Sequence, residues 1–138
     1  MLTNQNEKEA GKFKLGARSR SNMVGLHPHL IEIIELGIQT TEVDFTVIEG
    51  LRSEERQRQL LSSGATTTMN SRHLTGHAFD FVALKDNKVE WNDITLYVKI
   101  SNAFKAAATK LNHPIVWGGD WRTFKDYGHV QLNWKDYP

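Results

Sequence analysis

Three short segments carry side chains whose types and spacing could act together: SRHLTGHAFD (71–80), DYGH (126–129) and GLR (50–52). His73 and Asp80 stand seven positions apart, with Gly76 between them. Glycine tolerates positive φ, so the chain can turn sharply there and fold a loop ligand back on a strand ligand. His129 can supply a third donor. Two imidazoles and one carboxylate, with a fourth position left to water, suit a hydrolytic zinc site better than a closed structural one. The chain has no cysteine, which excludes thiolate metal sites and disulfides alike.

Asp126 lies three residues before His129, across a Tyr-Gly turn. From there a carboxylate can reach the water of a metal site without ligating the metal, and can act as acid and base in amide hydrolysis. Arg52 follows the end of an expected strand, where a guanidinium can hold a substrate carboxylate or a developing oxyanion. Trp121, beside a glycine turn, is a candidate wall of a substrate cleft or a packing residue. Spacing alone leaves a plainer reading open, in which the histidines are surface groups and Asp80 is a hydrogen-bonded buried acid. Ser71 is two residues from His73 on a loop, which does not define a nucleophilic triad.

The elements that must position these groups can be read in turn. A helix is expected from Pro28, with Leu30, Ile31, Ile33, Ile34 and Ile38 on its buried face. DFTVIEG reads as a strand, and Ser53 as the N-cap of a helix over SEERQRQLLSS that Gly64 ends. HAFDFVAL alternates His77, Phe79 and Phe81 against Ala78, Asp80 and Val82, a strand with an acid on one face. Asp86-Asn87 reads as a turn, and Asn92 or Asp93 as the cap of a long helix to about Leu111. IVWGG and YGHVQL are two further strands. Residues 1–21 read as a polar arm and 22–138 as one domain, with an α+β fold on a small, largely antiparallel sheet packed with helices.

The remaining candidates read as structural. His27 and His29 flank Pro28 at a helix start, and His113 precedes Pro114 in an exposed turn. Trp91, Trp117 and Trp134 read as packing residues. Asp120 can orient a ligating histidine from behind.

With 138 residues the chain can bury a core without staples. A net charge of +1 carries no basic footprint for nucleic acid. No stretch is apolar enough to span a bilayer; HLIEIIELGI is broken by Glu32 and Glu35. MLTNQNEKEAGKFK has no apolar signal region, so the protein is expected to stay in the cytoplasm until something releases it.

SRHLTGHAFD resembles the Ser-x-His-x-x-Gly-x-Ala-x-Asp signature of the zinc D-Ala-D-Ala carboxypeptidase family, and DYGHVQL resembles that family's closing segment. EGLRSEERQ and GGDW extend the likeness to residues 22–132. The layout is most similar to the bacteriophage endolysins called L-alanyl-D-glutamate peptidases. The resemblance implies a Hedgehog/DD-peptidase-like fold, Zn2+ on His73, Asp80 and His129, Asp126 as acid/base, and Arg52 and Ser71 against substrate. His77 and Phe79 fall on variable positions of the signature, and His77 is expected to point away from Asp80.

The implied activity is hydrolysis of peptidoglycan stem peptides, at the L-Ala-D-Glu bond, by a monomer. It would wait in the host cytoplasm and reach the periplasmic wall after a holin opens the membrane. Without a separate wall-binding domain, it suits a thin Gram-negative wall. Two alternatives stay open: a D-Ala-D-Ala carboxypeptidase or dipeptidase, and a zinc-bound recognition module that has lost catalysis.

Overall fold

The computed structural model describes residues 11–138. Helix α1 is Ala17–Met23 and α2 is Pro28–Thr40. Pro28 opens α2 where its missing N–H costs nothing, and Leu30, Ile33, Ile34 and Ile38 are buried as the periodicity requires. Strand β1 is Phe45–Glu49. Helix α3, Glu54–Ser62, is capped by Ser53, whose Oγ accepts the Arg56 N–H at 3.0 Å.

A single 3-10 turn, Arg72–Thr75, leads through Gly76 into β2, Ala78–Lys85. Asp86 and Asn87 both take positive φ (53° and 63°), the geometry of a tight hairpin turn, and return the chain as β3, Lys88–Glu90. That short strand adds to the elements expected from the sequence. Asp93 caps α4, Ile94–Leu111, which ends at a left-handed Asn112. Strand β4, Ile115–Trp117, runs into a second 3-10 turn at Gly118–Asp120, and β5 is His129–Leu132.

The strands form one sheet in the order β1-β2-β5-β4, every pairing antiparallel, with β3 added to β2. The expected α+β fold with a largely antiparallel sheet is therefore present. Phe79 and Phe81 of β2 each place their rings 5.2 Å from Phe104 of α4, and Phe45 lies 4.9 Å from it. Helix α2 packs on α4 so closely that a Cβ at Gly37 would come within 2.9 Å of the Phe104 ring. Period-two alternation turns Asp80 to the opposite face of the sheet from Phe79 and Phe81.

Four details differ from the sequence reading. The part of the polar arm at residues 1–10 lies outside the described residues. From Gly11 onward the rest is built into the fold. Phe13 and Leu15 pack on the core, and buried Ser19 accepts the Val47 N–H on its Oγ at 2.9 Å. A helix that docks through a serine leaves no apolar stripe to read. His113 is not an exposed turn residue: its ring stacks on His29 at 3.6 Å, and its Nε2 lies 2.9 Å from Glu32. Trp134 is half exposed, with the Arg72 guanidinium 3.9 Å from its ring, and Trp91 is 65% exposed, so neither is a core residue.

Candidate active site

The register of two strands creates the site. Asp80 of β2 pairs directly with His129 of β5, so their side chains leave the same face of the sheet side by side. The 3-10 turn brings His73 over that pair. Its return depends on Gly76, which has φ +73° and whose Cβ, were there one, would stand 2.6 Å from the Gly25 carbonyl. Donor atoms of His73, Asp80 and His129 lie within 4.8 Å of one another. Asp80 Oδ1 is 3.2 Å from His73 Nε2 and 3.0 Å from His129 Nδ1.

The outer nitrogen of each ring has its own acceptor. His73 Nδ1 lies 2.8 Å from the Gly50 carbonyl, and His129 Nε2 lies 2.8 Å from Gln131 Oε1. With those N–H groups donated outward, the inner nitrogens of neutral rings present lone pairs to a carboxylate oxygen. Three such donors at this range need positive charge among them, supplied by a metal ion or by a proton on an imidazole. All donors are N or O, both imidazoles are oriented from behind, and the residues are those of a three-ligand zinc site with a free position. The residues present thus fit a bound zinc ion.

Electrostatics in the metal-free arrangement agree. Burial pushes the Asp80 carboxyl up, yet the hydrogen bonds and charges of His129 and His73 outweigh it and hold the group well below the usual carboxylate range. Burial lowers His129, but Asp80 more than compensates and its pKa ends above the ordinary value.

Arg52 reaches the site through an irregularity in β1. Val47 pairs with Phe81 and Glu49 with Asp80, so Ile48 is an extra residue in the strand. The bulge turns Glu49 and the following loop toward Asp80. The Arg52 guanidinium is buried there: it binds Glu49, donates to Gln57 Oε1 at 2.8 Å, and stands 3.7 Å from Asp80 Oδ2. Most of its N–H groups are committed to protein, so it braces Asp80 and adds positive charge beside it. Ser71 caps the 3-10 turn, accepting the His73 N–H at 3.2 Å, with Arg52 Nη1 3.5 Å from its Oγ.

Asp126 sits at the mouth. Its N–H donates to the Gly118 carbonyl at 3.1 Å and its own carbonyl accepts the His129 N–H at 3.2 Å. Gly118 packs so tightly beneath it that any Cβ there would collide with the Asp126 carbonyl. As a residue Asp126 is exposed, but the surroundings of its carboxyl group desolvate it and the nearby Asp80 charge repels its ionised form, so its pKa is raised. Asp80 and Asp126 line one cavity of about 260 Å³ with Ile48, Trp91, Tyr97 and Lys125. The Trp121 ring lies 5.2 Å from the His129 ring.

Other groups fall elsewhere. His77 turns away to a point 5.4 Å from His27, as its strand position implied. Asp120 pairs with Lys105 at 2.7 Å and orients no ligand. The orienting role belongs to Gln131, which the sequence reading passed over; its signal was the two-residue spacing from His129 within one strand. Trp117 is buried as expected, its Nε1–H donating to the Tyr127 carbonyl at 2.8 Å.

Comparison with known proteins agrees with this geometry. The family model for phage L-alanyl-D-glutamate peptidase matches residues 11–136. The L-alanyl-D-glutamate peptidase of Escherichia phage T5 is 28% identical over 134 residues, covering 87% of this chain and 98% of that protein. That of Listeria phage A118 is 36% identical over 99 residues, 72% of this chain but 34% of the longer phage protein. The crystal structure of the Serratia marcescens L-Ala D-Glu endopeptidase ChiX superimposes with a TM-score of 0.86 at 40% identity, covering 100% of this chain and 99% of that one.

Proposed function

The chain belongs to the phage L-alanyl-D-glutamate peptidase family, and on that premise we propose that it is a zinc peptidase cutting the L-Ala-D-Glu bond of peptidoglycan stem peptides. The observation that carries the reading is the convergence of His73 Nε2, Asp80 Oδ1 and His129 Nδ1, with both outer ring nitrogens already donated. An L-alanyl-D-glutamate peptidase and an L-Ala D-Glu endopeptidase, alike over 87% and 100% of the chain, support the substrate class.

His73, Asp80 and His129 would hold the ion. Bound there, zinc supplies a Lewis acid that polarises a carbonyl and makes a water acidic near neutral pH. Asp126, at the mouth of the same cavity, takes the proton from the attacking water as the C–O bond forms. It then gives that proton to the amine as the C–N bond breaks, leaving a carboxylate on alanine and a free amino group on glutamate. Its raised pKa makes the carboxylate a stronger base toward the attacking water than an ordinary aspartate. Arg52 braces Asp80 and places positive charge near the developing oxyanion, and Trp121 walls the cleft beside His129. Ser71 holds the His73 turn and offers its hydroxyl to substrate.

Every ligand comes from one chain, so a monomer suffices for catalysis. No helix among the described residues is long and apolar enough to cross a membrane. Release to the wall through a membrane opened by a holin is our reading for a chain that resembles two phage peptidases. Purified murein tests the reading: the protein should solubilise it, a chelator should stop the reaction and zinc should restore it. Murein left intact by the zinc-loaded protein would contradict it.

A further inference from the structure

Among the described residues, Lys125 is the one lysine or arginine that lines the cavity with Asp80 and Asp126; Arg52 lines a different hollow with Leu51, Met69 and Leu74. Lys125 Nζ donates to the Gly119 carbonyl at 3.1 Å and the Trp121 carbonyl at 2.7 Å. Those carbonyls belong to the same 118–121 segment whose Gly118 oxygen receives the Asp126 N–H. The ammonium is thus fixed to the loop that carries the acid/base. Two of its three protons are engaged by neutral oxygens, one is left over, and among the described residues no carboxylate pairs with it. Lys105, Arg20 and Arg58, by contrast, each have an acidic partner.

Substrate chemistry gives such a cation a task. The residue on the leaving side of an L-alanyl-D-glutamate bond is a glutamate, which has two carboxyl groups. Whichever one carries the peptide onward, the other is a free anion close to the bond that breaks. In this cavity that anion meets Asp126, a group of its own sign. An ammonium fixed beside the cavity, on a residue that lines it, can convert that repulsion into binding.

We propose that Lys125 binds the free carboxylate of the glutamate leaving residue and sets the enzyme's preference for an acidic residue at that position. The proposal rests on the L-Ala-D-Glu reading above, and it adds a specificity group that the metal ligands and Asp126 do not account for.

Two synthetic stem peptides test it, one with the free carboxylate of D-glutamate and one with that carboxylate converted to the amide. The zinc-loaded wild type, Lys125→Met and Lys125→Arg are compared by kcat/KM at the Ala-Glu bond. Because the lysine also braces Gly119 and Trp121, the ratio between the two peptides is read rather than either rate. A charge-assisted hydrogen bond in a cleft corresponds to a preference of about 10- to 100-fold, which the wild type should show for the carboxylate. Lys125→Met should bring the ratio near one, and Lys125→Arg should keep most of it. Equal losses on both peptides would reduce Lys125 to a loop brace and overturn the proposal, as would a wild type indifferent to the amide. A wild type that retains zinc but cuts neither peptide would instead overturn the reading on which the proposal stands.

Discussion

Gln131 Oε1 lies 2.8 Å from His129 Nε2, on the side of the ring turned away from Asp80. Both residues sit on β5, two apart, and so leave the sheet on one face. With the amide oxygen as acceptor the proton sits on Nε2, which leaves Nδ1 free to ligate a metal in the proposed site. Gln131→Leu keeps the approximate volume but strands that buried N–H. Zinc affinity should fall about 10- to 100-fold, the usual effect of losing such a partner. Competition against a chromogenic chelator measures it, with the melting temperature of the metal-free protein as control. Unchanged affinity would mean that the ring needs no support from behind.

Asp126→Ala separates proton transfer from metal binding. The three ligands remain, so zinc content should stay at one per chain. Turnover should drop about 10²- to 10⁴-fold, the range of a positioned acid/base. Asp126 must be ionised to accept a proton, so the wild-type rate climbs with pH until its carboxyl has ionised; the variant should lose that limb. His73→Ala should lose zinc and activity together. Near wild-type turnover by zinc-loaded Asp126→Ala would remove the proton role from this residue.

Gly118→Ala tests how the acid/base is held. The added methyl collides with the Asp126 carbonyl, so the loop must move. Displacing a catalytic group by about 1 Å can cost on the order of 10²-fold. Activity should fall by about that factor while zinc stays bound, since none of the ligands is on the Gly118 turn. Full activity would show that the loop yields without carrying Asp126 with it.

A different part of the molecule should make the fold acid-sensitive. His27 Nδ1 accepts the His29 N–H at 3.0 Å and so caps α2, which it can do only unprotonated. Burial lowers its pKa below 6.5, and the charges of His29, His77, His113 and Arg72 lower it further. The unfolded chain then holds more protons than the fold. The contribution of His27 is whole above pH 6.5 and is lost as pH falls below it. Asn caps without titrating, so metal-free His27→Asn should lose less stability than metal-free wild type between pH 7 and 5. Urea midpoints measure both, and parallel pH slopes would contradict the role of His27.

The elements were largely legible in the sequence, and the long-range pairings were not. Pro28, Ser53 and Asp93 mark helix starts by capping chemistry that is local. The left-handed Asp86 and Asn87 mark the hairpin for the same reason. His73 and Asp80 could be nominated from their spacing and from a family signature. The register that sets Asp80 opposite His129 depends on two strands 49 residues apart, which no local pattern encodes. The engagement of Arg52 depends on a bulge at Ile48 that alternation does not reveal. Likewise, His27, His77 and His113 lie far apart in the chain and form one cluster with His29 only when the fold closes.

The most direct test is the mass of the products released from a defined muropeptide by the zinc-loaded protein. A fragment with a new N-terminal D-Glu, absent in chelator and absent with His73→Ala, is the predicted result. Release of terminal D-Ala alone, with the L-Ala-D-Glu bond intact, would contradict the account and make the protein a carboxypeptidase.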